Sequence, residues 1–148
     1  PLMITNILEN RVIPIYGEGM QVRHWLHVDD HCSGIDTVLR HGARGETYNV
    51  GSDDERTNLA VAHKVLRHLD APEELIAHVT DRVGHDRRYA LSSEKLRSLG
   101  WEPAWGFEEG LAATVDWYRT NQEWWRTIRS GDFDAYYRAN YADRTEYS

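Results

Sequence analysis

Val12-Ile13-Pro14-Ile15-Tyr16-Gly17-Glu18-Gly19-Met20-Gln21-Val22-Arg23-His24-Trp25-Leu26-His27-Val28-Asp29-Asp30-His31 decides the class of this chain. Val12 to Tyr16 reads as a short apolar strand carrying Pro14, and Gly17-Glu18-Gly19 as a turn. Val22 to Val28 then alternates. Val22, His24, Leu26 and Val28 face one way and Arg23, Trp25 and His27 the other, which is the two-residue period of a strand. Asp29 or Asp30 caps a helix running to about Arg40, with Ile35, Val38 and Leu39 as its buried side. Arg23 therefore sits in a strand with largely apolar neighbours. A buried charge is costly unless paired, so Arg23 meets either a carboxylate (Asp29 or Asp30) or an anionic ligand. Tyr16, just before the glycine turn, offers a flat face on which a ring can lie.

Short strands continue to alternate with helices on both sides of this stretch. Residues 2–10 form an amphipathic helix with Met3, Ile4, Ile7 and Leu8 in its stripe. Glu46 to Val50 is a β-prone strand. Asn58 is placed to cap a helix to Leu69, with Leu59, Ala62, Val65, Leu66 and Leu69 as its core face. Ile76 to Thr80 and Arg87 to Leu91 are short strands, and Ser92 or Ser93 opens a helix ending at Gly100. Phe107 to about Arg119 is a helix with Leu111, Val115 and Tyr118 in its stripe, and Asn121 to Ser148 is helical and aromatic. The class is α/β or α+β, without a clean series of βαβ units. It resembles one or two trailing strands of a larger sheet plus a small appended lobe. No repeat, low-complexity linker or internal domain boundary is visible. The apolar stripe at the start puts Pro1 at the edge of a helix, as in a fragment or cleaved product.

Composition narrows the function classes. A length of 148 residues suffices for one domain with a core, and 41% apolar with 28% charged residues is ordinary for a globular protein. No apolar run approaches the ~20 residues of a membrane span. A net charge of −7 argues against broad nucleic-acid binding. The lone Cys32 excludes a disulfide framework and a cysteine metal cluster, and fits a cytoplasmic setting.

Within this acidic chain, Asp81-Arg82-Val83-Gly84-His85-Asp86-Arg87-Arg88-Tyr89-Ala90 stands apart, with three arginines and a histidine in eight residues. It reads either as a solvated turn or as an anion clamp. Gly84 lets the backbone bend, so that Arg82, Gly84 and His85 converge on one point, while Arg87 and Tyr89 alternate in a strand that packs back on the core. Guanidinium donors suit a phosphate or diphosphate, at roughly 1.5–3 kcal/mol per charge-assisted hydrogen bond.

His24, His27 and His31 invite a metal reading, but in a strand the first two face opposite sides and the third lies past the turn, so no metal site is expected. His31 is expected to satisfy backbone groups near the helix start. The aromatic tail (Trp124, Trp125, Phe133, Tyr136, Tyr137 and Tyr141) reads as packing. Eleven glycines form no Gly-x-Gly-x-x-Gly fingerprint, and neither lysine, Lys64 or Lys95, follows a tyrosine by four residues. No Gly-x-Ser-x-Gly elbow and no His-Glu-x-x-His occurs.

Leu2 to Leu8, Tyr16 to His31, Gly45 to Leu59, Asp81 to Ala90, Leu99-Gly100-Trp101-Glu102-Pro103, Phe107 to Leu111 and Thr114 to Tyr118 together resemble the dTDP-glucose 4,6-dehydratases of the extended short-chain dehydrogenase/reductase superfamily. The run Gly84-His85-Asp86-Arg87-Arg88-Tyr89-Ala90 separates them from sugar-nucleotide epimerases and decarboxylases.

The resemblance implies an α/β fold: the C-terminal substrate-binding lobe, with trailing strands, of a Rossmann-type enzyme. In that family a bound NAD takes hydride from sugar C4, water leaves across C5 and C6, and the hydride returns to C6. The product, dTDP-4-dehydro-6-deoxyglucose, is a precursor of rhamnose and other deoxysugars. NAD, the Tyr–Lys pair and the acid–base carboxylates all belong to the part that precedes this segment. By position, Pro14, Ile15 and Tyr16 border the nucleotide, and Arg23 and Arg82 hold the diphosphate with His85. Asn58 doubles as cap and substrate contact, Asp81, Val83 and Gly84 shape the loop, and Tyr141 closes over the ligand. Val83 stands where many members have proline, which leaves the loop less rigid. The implied partner is a small sugar nucleotide and the implied assembly a homodimer. The segment alone is expected to be inactive. A sugar-nucleotide 4-epimerase or decarboxylase, or a non-catalytic binding or assembly module, are the competing readings.

Overall fold

The computed structural model describes residues 1–129. In chain order the elements are α1 (Leu2–Leu8), β1 (Ile13–Tyr16), β2 (Val22–His24), α2 (Val28–His41), β3 (Glu55–Thr57), α3 (Asn58–His68), β4 (Ile76–Val79), α4 (Glu94–Arg97), α5 (Phe107–Thr120) and α6 (Gln122–Arg129). The mixture of helix and strand agrees with the α/β expectation. The chain divides into two compact units. Among the described residues, one takes 1–20, 58–85 and 112–129; the other takes 21–57 and 86–111. Each is discontinuous in sequence, so no linear shift in composition marks a boundary.

In the first unit β1 and β4 pair in parallel, with Ile13 opposite Ile76 and Tyr16 opposite Val79. A parallel pair cannot be closed by a tight turn, and α3 lies between the two strands in the chain. Ile13, Ile15, Val61, Ala62, Val65, Leu66, Val79 and Val115 form the core, joined by Ile4 and Ile7 of α1 and Trp125 of α6. Asn6 is fully buried among them, and its amide is accounted for: Nδ2 donates to the Val12 carbonyl at 2.7 Å, and Oδ1 accepts from Arg129 at 3.2 Å.

In the second unit β2 and β3 pair antiparallel, with Val22 opposite Thr57, Arg23 opposite Arg56 and His24 opposite Glu55. Val22 also bridges Arg88, donating to the Arg87 carbonyl at 2.8 Å and accepting from Tyr89 N–H at 3.3 Å. The expected strand from Arg87 to Leu91 is reduced to this bridge. The strand expected to Val28 ends at His24, and α2 begins at Val28.

Three expectations for this unit are corrected. The cap of α2 is His27, whose Nδ1 accepts from Asp29 N–H at 3.3 Å, so neither Asp29 nor Asp30 caps the helix and His31 does not serve its start. The face of α2 that packs is also not the apolar one. Ile35 and Leu39 are 45% and 79% exposed, whereas Asp30 and Gly34 are buried. The reason is close approach: a Cβ on Gly34 would stand 2.7 Å from Val50 Cγ1 and 3.3 Å from Leu96 Cδ2. Asp30 meanwhile accepts from the backbone N–H groups of Ala104 and Trp105 at 2.8 and 3.1 Å. Finally, residues 46–50 form no strand. A strand needs a neighbour to hydrogen-bond, and among the described residues none pairs with them.

Candidate functional site

In the first unit β1 and β4 run in the same direction, and each ends in a loop: the turn at Gly17–Gly19 and the segment from Thr80 to His85. The carboxyl ends of parallel strands are where α/β sheets gather ligands, because the connecting loops open a crevice there. Tyr16 is the last residue of β1. Its ring meets His85 edge-on, with centroids 5.7 Å apart at 82°. The His85 side chain is only 6% exposed, and Nδ1 donates to Asp81 Oδ1 at 2.6 Å. That oxygen also accepts Arg82 N–H at 2.8 Å, so one carboxylate fastens both ends of the loop. Between them Arg82 and Val83 are exposed, and Gly84 takes the left-handed conformation at φ +73°. The expected convergence of Arg82, Gly84 and His85 is thus resolved into two layers: the imidazole turns inward, and the guanidinium stays on the rim.

The turn before the loop is equally constrained. Gly17 is left-handed, and a Cβ there would lie 3.3 Å from Asp81 Oδ2. His78, in β4, donates from Nδ1 to the Gly17 carbonyl at 2.6 Å. Gly19 accepts from Leu59 N–H at 3.0 Å, which ties the turn to the first residues of α3, including Asn58. Ile15 is 2% exposed, so its side chain belongs to the core, while Pro14 beside it is half-buried. Tyr141 lies outside the described residues.

Arg23 belongs to the second unit. Its guanidinium donates to the carbonyls of Val22 at 2.7 Å and Asp86 at 3.0 Å, and lies 4.4 Å over the Tyr89 ring. Asp30, one of the carboxylates expected to pair with it, is instead committed to Ala104 and Trp105. Arg88 is a strut, not part of a clamp: it makes hydrogen bonds to both Glu55 oxygens, and His24 Nε2 donates to the same carboxylate at 2.8 Å. The hydrogen bonds from Arg88 first, and then from His24, hold the Glu55 carboxyl down at about 2. Among the described residues no group of three His, Cys, Asp or Glu side chains gathers as a metal site.

The sequence reading missed His78 in the first unit, and Glu55 and Tyr89 in the second. Glu55 is separated from His24 and Arg88 by more than thirty residues each way, and no local pattern announces such a pairing.

The architecture agrees with known proteins. The family model described as GDP-mannose 4,6 dehydratase matches residues 1–114. The chain belongs to this family. A dTDP-glucose 4,6-dehydratase of Xanthomonas campestris pv. campestris is 50% identical over 143 residues, covering 90% of this chain and 41% of the relative. The Bacillus anthracis dTDP-glucose 4,6-dehydratase, solved with NAD, is 50% identical with a TM-score of 0.80, covering 86% of this chain and 41% of that one. The Streptomyces venezuelae dTDP-glucose 4,6-dehydratase, solved with NAD and TYD, is 45% identical with a TM-score of 0.83 and covers 86% and 40%. The chain therefore spans about two fifths of the length of these dehydratase-family relatives. Among its described residues, no helix is long and apolar enough to cross a membrane.

Proposed function

We propose that the intact protein converts dTDP-glucose to dTDP-4-dehydro-6-deoxyglucose, a hydro-lyase reaction that feeds deoxysugar (rhamnose-type) synthesis, and that this segment supplies sugar-nucleotide binding. The observation that carries the reading is the loop Asp81–His85. It stands at the carboxyl ends of two parallel strands, fastened by Asp81, with an exposed guanidinium at its rim. The dTDP-glucose 4,6-dehydratase identity of relatives at 45–50% supports the thymidine nucleotide over others.

In this reading Arg82 and His85 take the diphosphate, and Arg23 carries the same charge-neutralising role on the family pattern. Tyr16 and Pro14 border the nucleotide. Ile15 contributes through its backbone, because its side chain is buried. Asn58 contacts the substrate from the start of α3, and Asp81, Val83 and Gly84 give the loop its shape. Tyr141 is proposed to close over the ligand. None of these groups performs the chemistry; they hold the sugar where the reaction occurs, and such positioning is itself a large part of catalysis.

The described residues do not fit the dinucleotide. The Gly17–Gly19 turn follows a strand, but a Cβ on Gly19 would meet Ile15 and Leu59 at 2.6 and 2.9 Å. That glycine lets the turn pack on the core and does not open a cradle for a phosphate. NAD is accordingly assigned to the part of the relatives that this chain does not span, and the 148-residue segment alone is proposed to be inactive. The intact enzyme is proposed to be a cytoplasmic homodimer.

The test is to incubate the intact protein with dTDP-glucose, and separately with GDP-mannose, and weigh the products by mass spectrometry. Loss of one water from dTDP-glucose is expected. A product of unchanged mass identifies an epimerase, and dehydration of GDP-mannose alone overturns the thymidine assignment.

A further inference from the structure

Tyr89 sits in the basic run, where the sequence pattern assigns it no ligand role. Its ring is half exposed, with the Arg23 guanidinium 4.4 Å from its centroid. Its hydroxyl donates to the carboxylate of Asp86, and the carbonyl of that same Asp86 accepts from Arg23 at 3.0 Å. Its backbone N–H reaches the Val22 carbonyl at 3.3 Å, the same carbonyl that accepts from Arg23 at 2.7 Å. Ring, tether and backbone are thus arranged around one guanidinium. A large aromatic left half exposed is poorly used as packing, whereas an aromatic face beside a cation limits the rotamers of that cation.

We infer that Tyr89, tethered by Asp86, is a positioning residue that sets the Arg23 guanidinium for an anionic diphosphate. The inference rests on the diphosphate role proposed above for Arg23. Because Tyr89 acts through Arg23, its removal weakens capture of the diphosphate and leaves the reacting end of the sugar alone. The expected signature is a raised KM with kcat nearly constant.

The experiment uses the intact enzyme with dTDP-glucose as substrate and dTDP and thymidine as competitive inhibitors. R23A raises KM about tenfold or more. Y89L raises KM and the dTDP inhibition constant about fivefold, the equivalent of one surface cation–π contact, and leaves the thymidine constant unmoved. Y89F keeps the ring and loses the tether, so its KM falls between wild type and Y89L. The R23A/Y89L double variant is no worse than R23A. If R23A leaves KM unchanged, the diphosphate reading itself fails and the inference falls with it. If R23A raises KM while Y89L does not, or the two effects multiply, the inference alone is overturned. Should Y89L not fold, D86A takes its place, since it cuts the tether and keeps both the ring and the carbonyl. It raises KM about twofold with Arg23 present and has no effect in the R23A background, and any other result overturns the inference.

Discussion

His24 donates from Nε2 to Glu55 at 2.8 Å across the antiparallel pair β2–β3, at a register where the two residues face each other. Arg88 binds the same carboxylate from the neighbouring bridge, so Glu55 joins three segments of the second unit. Its carboxyl is held at about 2, below the usual 4.5. A depressed carboxylate stabilises the fold fully above its unfolded pKa, and the contribution fades as pH falls through its folded value. E55Q is therefore expected to melt below the wild type at pH 6, with the gap narrowing between pH 4.5 and about 2. Melting curves across that range check it. A gap independent of pH would show that the carboxylate charge contributes nothing.

Asp30 tests the buried acceptor of α2. Asp30→Ala removes the buried carboxylate that accepts two part-buried backbone hydrogen bonds, from Ala104 and Trp105. Losing two hydrogen bonds to one charged acceptor costs about 3 kcal/mol. Asp30→Asn, which keeps one acceptor, is expected to lose about half as much. Urea titration of the intact protein measures both. A loss in Asp30→Ala no larger than that of an exposed surface substitution would mean that water replaces the carboxylate.

Gly19 and Gly45 separate backbone strain from packing. Both are left-handed, at φ +71° and +81°. A Cβ at Gly45 meets nothing within 4 Å, so Gly45→Ala carries only the conformational penalty of about 1 kcal/mol. A Cβ at Gly19 meets Ile15 Cγ2 at 2.6 Å and Leu59 Cβ at 2.9 Å, so overpacking adds about 1–3 kcal/mol more. Denaturant midpoints should rank wild type, Gly45→Ala and Gly19→Ala in that order; equal losses would mean that crowding at Gly19 costs nothing.

Asp81 links the loop to the proposed ligand. In the intact enzyme, Asp81→Ala releases both the His85 imidazole and the Arg82 N–H. KM for the sugar nucleotide is expected to rise at least fivefold, because a charge-assisted hydrogen bond that positions a binding group is worth about 1–3 kcal/mol. Steady-state kinetics decide this, with an unchanged KM removing Asp81 from the site.

Some of this is legible in the residues themselves. The turn at Gly17–Gly19, the helices from Asn58 and Phe107, and the short strands β1 and β4 all announce themselves locally. Their signals are periodicity and glycine, and both act over a few residues. The loop Asp81–His85 is likewise visible as a basic run with a bend at Gly84. In α2 the apolar stripe of Ile35, Val38 and Leu39 is real as a pattern, yet it does not choose the packed face. Gly34, which permits close approach, and Asp30, which two distant N–H groups require, choose it instead.

Residue order alone is enough for the α/β class, most element positions and the family pattern to which Arg23, Arg82 and His85 belong. What each charged side chain does is settled in three dimensions. Folding turns His85 inward onto Asp81 and Tyr16, makes Arg88 a strut on Glu55, and sets Arg23 against Tyr89 and two carbonyls. The physical reason is range. Local conformation depends on neighbours a turn away, whereas the fate of a charge depends on whichever donor or acceptor the folded chain brings within about 3 Å.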